Sequence, residues 1–310
     1  MAKILVLQCS GRRKGYTASI KDTVAEHLSG RTGIETEVIE LHDYTYGPCT
    51  SCFSCIAKVG GGCVLKDDWG RNGEGPLYKA FKRANAMISI DPVHSWGLSA
   101  AAKTFFERIY PTFWEGTPYG LPFASISCAS NQGFQFKAME EYCKLAAGYG
   151  FRYIGGLAVH ALYIKSAYDD ARSLADKLAD AALHDESQGR KKLTDEEIFS
   201  MYCDTPWSIV DGYLQNLTNN TFCYEDAVPV RALADGLVTN PEARPLMEKV
   251  CEHLRAALEH YHNGDRTTAA GELALTAKFW TNATYKQCCE NITVKTNIPK
   301  TYRPLDEIDS

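Results

Sequence analysis

Four cysteines stand close together early in the chain, in Cys49-Thr50-Ser51-Cys52-Phe53-Ser54-Cys55 and then Cys63, a C-x2-C-x2-C-x7-C spacing. Thiolates spaced in this way can curl around one inorganic centre, and Gly60, Gly61 and Gly62 let the chain turn back with the fourth. Four thiolates satisfy a [4Fe–4S] cluster. They also satisfy a tetrahedral zinc ion, although zinc sites more often use two separated pairs, or they stand as free redox-active thiols. A second run of chemical interest is Cys9-Ser10-Gly11-Arg12-Arg13-Lys14-Gly15-Tyr16-Thr17. Hydroxyls at Ser10 and Thr17, backbone amides of a turn and a bidentate Arg12 would grip an anion if a helix starts where the run ends. The run has neither the Walker pattern nor the three-glycine dinucleotide fingerprint, so a terminal monophosphate fits it better than a pyrophosphate. A polar surface turn with a basic cluster is the plain alternative.

The elements that must position these groups show in the hydrophobic pattern. Residues 4–7 form a short apolar strand, followed by a helix with Ile20, Val24 and Leu28 on one face and Gly30 as its C-terminal stop. Residues 36–41, 86–90, 123–127 and 153–159 read as four more strands. Leu98, Ala102, Phe105 and Ile109 mark one intervening helix, Met139, Tyr142 and Ala146 another, and a helix over 168–183 closes the series. Strand and helix in alternation, with near-continuous apolar strands, predict an α/β fold. The expected form is a doubly wound five-stranded parallel sheet in flavodoxin-like order with a helical C-terminal extension. In such a fold the run from Ser10 to Thr17 lies outside the carboxyl end of the first strand, where ligands bind.

The flavodoxin-like domain is expected over residues 1–185, with the cysteine loop at 47–66 after its second strand, and the extension over 186–310. Residues 184–192 are polar and read as a linker. In the extension Leu246, Val250, Leu254 and Leu258 line one helical face, and Leu273, Ala277 and Trp280 another. Trp207, Tyr213, Trp280 and Tyr285 either line a substrate pocket or pack as core, and core is the commoner outcome at helical spacing. The tail over 294–310 reads as irregular.

Of the 310 residues 45% are hydrophobic and 23% charged, the balance of a globular protein with a real core. A net charge of −5 offers no basic face for nucleic acid, and the apolar stretches are strand-length, too short to span a membrane. The first apolar block is also too short for an export signal. Twelve cysteines therefore read as reduced cytoplasmic thiols, and the sequons at Asn216, Asn219, Asn282 and Asn291 as chance matches. Cys288-Cys289 is assigned no role.

The run from Ser10 to Thr17 resembles the phosphate loop of the NADPH-dependent FMN reductase and iron–sulfur flavoprotein superfamily, which usually has proline at the place of Gly11 and asparagine at that of Tyr16. Asp91-Pro92-Val93-His94-Ser95-Trp96-Gly97 resembles its Thr-Pro-Val-Tyr-Trp loop, with Lys103 and Arg108 following as the family has them. Ser127-Cys128-Ala129-Ser130-Asn131-Gln132-Gly133 resembles its small-residue loop. The resemblance implies FMN, with its phosphate on Ser10, Arg12, Lys14, Gly15, Tyr16 and Thr17. It places the ribityl chain and ring along Pro92, Val93, His94, Ser95, Trp96 and Gly97. The ring edge then meets Ser127, Ala129, Ser130, Asn131 and Gly133. His94 replaces the family's tyrosine; it either serves proton chemistry or simply fills the loop.

The compact cysteine run is similar to that of the iron–sulfur flavoproteins, which implies a [4Fe–4S] cluster on Cys49, Cys52, Cys55 and Cys63, near the flavin edge of this subunit or of a partner. The expectation is an FMN-dependent cytoplasmic oxidoreductase and homo-oligomer. It would take electrons from NAD(P)H or a ferredoxin and pass them, through the cluster, to a small-molecule acceptor. Two other readings are a non-enzymatic flavodoxin-like electron carrier and a zinc-stabilised regulatory module without flavin. The long extension counts against the first, and intact Ser10, Arg12 and Thr17 count against the second.

Overall fold

The computed structural model describes residues 1–129, 134–194, 196–197, 209–218, 221–284 and 286–287, and the chain divides into two compact units, Met1–Lys192 and Leu193–Ser310. The first unit holds strands β1 (Ala2–Gln8), β2 (Ile34–Glu40), β3 (Ala86–Pro92), β4 (Pro122–Ala129) and β5 (Arg152–His160). All pair in parallel in the order β2-β1-β3-β4-β5, the flavodoxin-like order. The order reverses between β1 and β3, so the loops leaving those strands flank a crevice at the carboxyl edge, where this fold class binds ligands.

Hydrophobic residues cover both faces, as a parallel sheet with helical crossovers demands. On one face Ile4, Val6, Ile88, Ile90, Ala124 and Ile126 pack under α1 (Tyr16–Ser29) and α7 (Ile164–Gln188). Ile20, Val24 and Leu28 of α1 are wholly buried there, each contributing about 1.5–3 kcal/mol. The other face is aromatic, under α3 (Pro76–Arg83), α4 (Ala100–Arg108) and α6 (Gln135–Tyr149). Phe106 meets Phe123 edge-on at 5.8 Å, Phe81 meets Phe105 at 6.0 Å, and Phe123 lies 5.1 Å from Phe151.

Three local expectations change. Gly30 does cap α1, but at φ −79°, in the right-handed region; the left-handed residue is Gly33 at φ +83°, which turns the chain into β2. β2 accordingly begins at Ile34, before the apolar pattern becomes visible. The polar run 184–192 is not a free tether. Its first half finishes α7, where buried Asp185 accepts from Arg152 at 3.0 Å, and Arg190 donates to the Thr117 carbonyl at 2.8 Å.

Among the described residues of the second unit the regular elements are helices, joined by turns and loops. They include α8 (Ile209–Leu217), α9 (Val228–Ala234), α10 (Ala243–His262) and α11 (Arg266–Thr284). The last two form a hairpin turned at Gly264 (φ +80°), around Met247, Val250, Phe279 and Ala283. Leu246 and Trp280, both short of full burial, pack against that cluster. Tyr213 is half-buried on α8. Trp207, Tyr285, Cys288-Cys289 and the tail over 294–310 lie outside the described residues.

Candidate functional site: rim loops and cysteine cavity

The loop after β1 leads straight into α1. Gly15 precedes the helix in an extended conformation; among the described residues no side chain caps the first turn, and no acidic residue lies in it. The amino end of α1 therefore keeps its free N–H groups and positive dipole for an outside acceptor. Ser10 and Thr17 are buried beside it, and the Ser10 hydroxyl accepts from the Arg12 amide at 3.2 Å. Arg13 is tied to Glu40 at 2.9 Å and to Asp43. Arg12 and Lys14 are exposed and enter no ion pair among the described residues. Gly11 packs on His42: a Cβ there would come 3.3 Å from the ring, whose Nε2 lies 3.2 Å from the Cys9 carbonyl. Tyr16 is exposed. At the root of the loop Gln8 is fully buried and leaves both ends of its amide without a partner among the described residues.

The second loop leaves β3. Asp91 is wholly buried and accepts from the Ser99 amide at 3.0 Å and the Ser99 hydroxyl at 2.5 Å. Ser99 in turn caps α4 by accepting from the Ala102 amide at 3.2 Å. Between these anchors His94 and Gly97 exchange backbone hydrogen bonds at 3.1 Å, and Ser95 (φ +48°) and Trp96 (φ +65°) form the turn between them. The turn lifts Trp96 to 63% exposure with Phe134 edge-on at 6.3 Å, while His94 is exposed. Pro92 and Val93 are half-buried, and the Val93 amide donates to the Cys128 carbonyl at 2.8 Å. Lys103 pairs with Glu141 at 2.9 Å. In the third loop Ser127 is buried and donates to the Gln135 carbonyl at 2.7 Å, and Ala129 is buried. Burial pushes the Cys128 thiol up to about 12, against the hydroxyl of Thr17. That contact joins the first and third loops. Ser130, Asn131 and Gly133 lie outside the described residues.

The cysteine loop is built without strands. After β2 and a 3₁₀ turn (Leu41–Asp43) comes an irregular path through the short helix α2 (Ser54–Ala57). Close backbone approaches fold it: a Cβ on Gly62 (φ +66°) would come 2.3 Å from the Gly73 amide, and one on Gly70 (φ +93°) 1.9 Å from that of Gly75. Trp69 is the buried plug, edge-on to Phe105 at 5.5 Å and Tyr78 at 6.0 Å. Cys49, Cys52, Cys55 and Cys63 all line one cavity of about 360 Å³, walled also by Glu107, Arg108, Tyr110 and Tyr149. Burial, then the neighbouring Cys49, Cys63 and Cys52, push Cys55 up to about 12, whereas hydrogen bonds from Ser54 hold Cys52 below the ordinary thiol value. Among the described residues no three His, Cys, Asp or Glu side chains are placed to hold a single metal ion.

Arg108, placed by resemblance with the flavin loop, instead turns into the cysteine loop. It is 1% exposed and bonds Asp67 at 2.6 and 3.0 Å, the Gly47 carbonyl at 2.7 Å and the Cys63 sulfur at 3.5 Å. The cavity thus abuts Glu107 and Arg108 at the carboxyl end of α4 and Tyr149 at that of α6. These are the ends away from the loops that leave β3 and β4. The signals for this second anchor were Asp67, four residues beyond Cys63, and an arginine on the buried face of a helix.

The sequence pattern of the NADPH-dependent FMN reductase family matches residues 2–159. An iron-sulfur flavoprotein of Archaeoglobus fulgidus is 29% identical over 102 residues, 33% of this chain and 43% of its own. One from Methanocaldococcus jannaschii is 33% identical over 111 residues, 35% of this chain and 52% of its own. The matched region thus spans about half the length of these curated relatives. Among solved structures, an azoreductase of Bacillus anthracis aligns over 57% of this chain and 100% of its own, with 10% identity and a TM-score of 0.44. The matched segment runs from β1 almost to the end of β5 and takes in all three rim loops and the cysteine loop, so the chain belongs to the NADPH-dependent FMN reductase family.

Proposed function

We propose that this chain is an FMN-dependent oxidoreductase that carries electrons from NAD(P)H or a ferredoxin to a small-molecule acceptor, using a [4Fe–4S] cluster on its four clustered cysteines. The observation that carries the reading is the amino end of α1. It has free N–H groups, two flanking hydroxyls and two cations outside any described ion pair, with no competing carboxylate in its first turn. That donor set fits a phosphate monoester. Ser10, Arg12, Lys14, Gly15, Tyr16 and Thr17 would hold the phosphate. Pro92 to Gly97 would flank the ring, with Ser127, Ala129, Ser130, Asn131 and Gly133 along its edge. Gln8 adds unused polar capacity at the root of the loop.

Four thiols on one cavity fit a cluster, whose ligands sit on separate iron atoms and are spaced more widely than those of one tetrahedral ion. When bound, FMN would supply two-electron uptake with single-electron release, and the cluster one-electron exchange. This chain's residues do the rest. Backbone amides and Arg12 orient the phosphate, the His94–Gly97 turn presents Trp96 as an apolar wall, and Arg108 keeps a positive charge beside Cys63.

The flavodoxin-like domain and the helical extension would form a cytoplasmic homo-oligomer. Nine described cysteines are free thiols, in keeping with a reducing compartment. Among the described residues no helix is long and apolar enough to cross a membrane. The test is protein purified without air. Flavin absorption, with iron and sulfide in equal amounts and bleaching by NAD(P)H or reduced ferredoxin, is the expected result. Colourless protein that refuses added FMN overturns the reading, and flavin with no iron removes the cluster from it.

A further inference from the structure

We propose that Arg108 is the positioning residue of the cysteine site: it latches both ends of the cysteine loop onto α4 and tunes the bound group through its hydrogen bond to Cys63. This rests on the reading that the four cysteines hold a cluster, and adds to it a residue outside the ligand set. A guanidinium only 1% exposed must be paired, because an uncompensated buried charge is strongly unfavourable. Its partners fall at three separate places. Gly47, at the start of the loop, accepts at 2.7 Å, and Asp67, at its end, accepts at 2.6 and 3.0 Å. Cys63 accepts between them at 3.5 Å. The Gly47 amide also donates to Asp67 at 3.5 Å, so the segment is closed at one point.

A loop already closed has less entropy to lose when its thiolates close on a ligand. That is a reason for an arginine here, since a lysine ammonium cannot hold the planar two-point contact with Asp67 and still reach the other partners. The contact to Cys63 has a second effect. Among the described residues Arg108 is the one cationic hydrogen-bond donor to any of the four sulfurs. A cluster held on these thiolates would carry more negative charge on its sulfurs in its reduced form. A charged donor stabilises that state and raises the potential.

Two variants separate the effects. Arg108→Lys keeps the charge and loses the guanidinium; Asp67→Asn keeps the guanidinium but leaves it one acceptor at 67 in place of two, which weakens the latch. In metal-free full-length protein, hydrogen exchange of amides 47–67 should quicken at least about tenfold in both, with amides of β1 and α1 unchanged. Unchanged exchange over 47–67 overturns the latch. In protein reconstituted anaerobically with iron and sulfide, a dithionite titration followed by electron paramagnetic resonance should show a lower midpoint potential for Arg108→Lys and a near-native one for Asp67→Asn. Equal potentials in Arg108→Lys and the native chain overturn the tuning. Should Arg108→Lys lose its flavin and fold, Asp67→Asn decides the latch. Should the native chain take up no iron, the cluster reading and the tuning fall together, and hydrogen exchange alone judges the latch.

Discussion

Helix α4 is fastened at both ends by an aspartate, and the two aspartates live under opposite conditions. At its start Asp91 holds Ser99 with hydroxyl and amide donors only. Burial lifts Asp91 to about 7, against the hydrogen bonds of Ser99 and with help from nearby Glu141. At its end Asp67 is also pushed up by burial, but the Arg108 guanidinium and the amides of Gly70 and Gly47 outweigh that and hold it below the usual carboxylate range. The rim end is placed by the sheet, whose strands deliver three loops to one edge, so a weakly charged anchor suffices there. The cysteine end has no strand to place it and depends on a buried ion pair and on glycines. Topology positions the first region; charge and close backbone approach position the second.

The sharpest way to break this comparison is Asp67→Leu. It leaves Arg108 buried without its carboxylate, and the metal-free protein should lose about 3–5 kcal/mol in urea unfolding. A loss under about 1 kcal/mol, the size of an ordinary hydrogen bond, would mean that charge does not hold that end. Next is Gly70→Ala, which needs a left-handed alanine with its Cβ against the Gly75 amide. It should cost about 2–3 kcal/mol and strip iron while FMN stays bound; loss of both together would show that the two regions are not independent.

A smaller effect, one of slope, concerns Asp91. Its proton is held more tightly in the folded chain than in the unfolded one, where a free aspartate titrates near about 3.9. Its contribution to stability is therefore complete at acid pH and is lost as pH rises through about 7. Asp91→Asn should gain on the native chain across that window, and a flat difference between them would refute the assignment. Asp67 has the reverse sign, its contribution being lost as pH falls through its lowered value. The smallest effect is expected for Ser10→Ala, which should weaken FMN about fivefold, roughly 1 kcal/mol, in a fluorescence titration while leaving iron content alone.

The sheet and its loops were legible because their signal is local. Ile4 to Leu7, Ala86 to Ile90 and Phe123 to Ser127 are apolar runs, and helix faces such as Ile20, Val24 and Leu28 repeat at spacing four. Edges were less clear: β2 starts at Ile34 through the turn at Gly33, not at the first alternating residue. The cysteine loop was visible as a ligand set but not as a structure. Its plug, Trp69, and its latch, Asp67 with Arg108, are joined only in space, across 41 residues of chain, and no periodicity reports such a pairing. The polar stretch at 184–192 misled for a related reason, since Asp185 and Arg190 look like solvent residues until Arg152 and the Thr117 carbonyl are brought to them.

The contact between Gly11 and His42 has an evolutionary consequence. A Cβ at position 11 would press on the imidazole at 3.3 Å, tighter than an ordinary van der Waals contact. A lineage with a larger residue at 11 should therefore shift the histidine at 42 by a few tenths of an ångström or replace it. Relatives of this chain should show those two positions tending to change together.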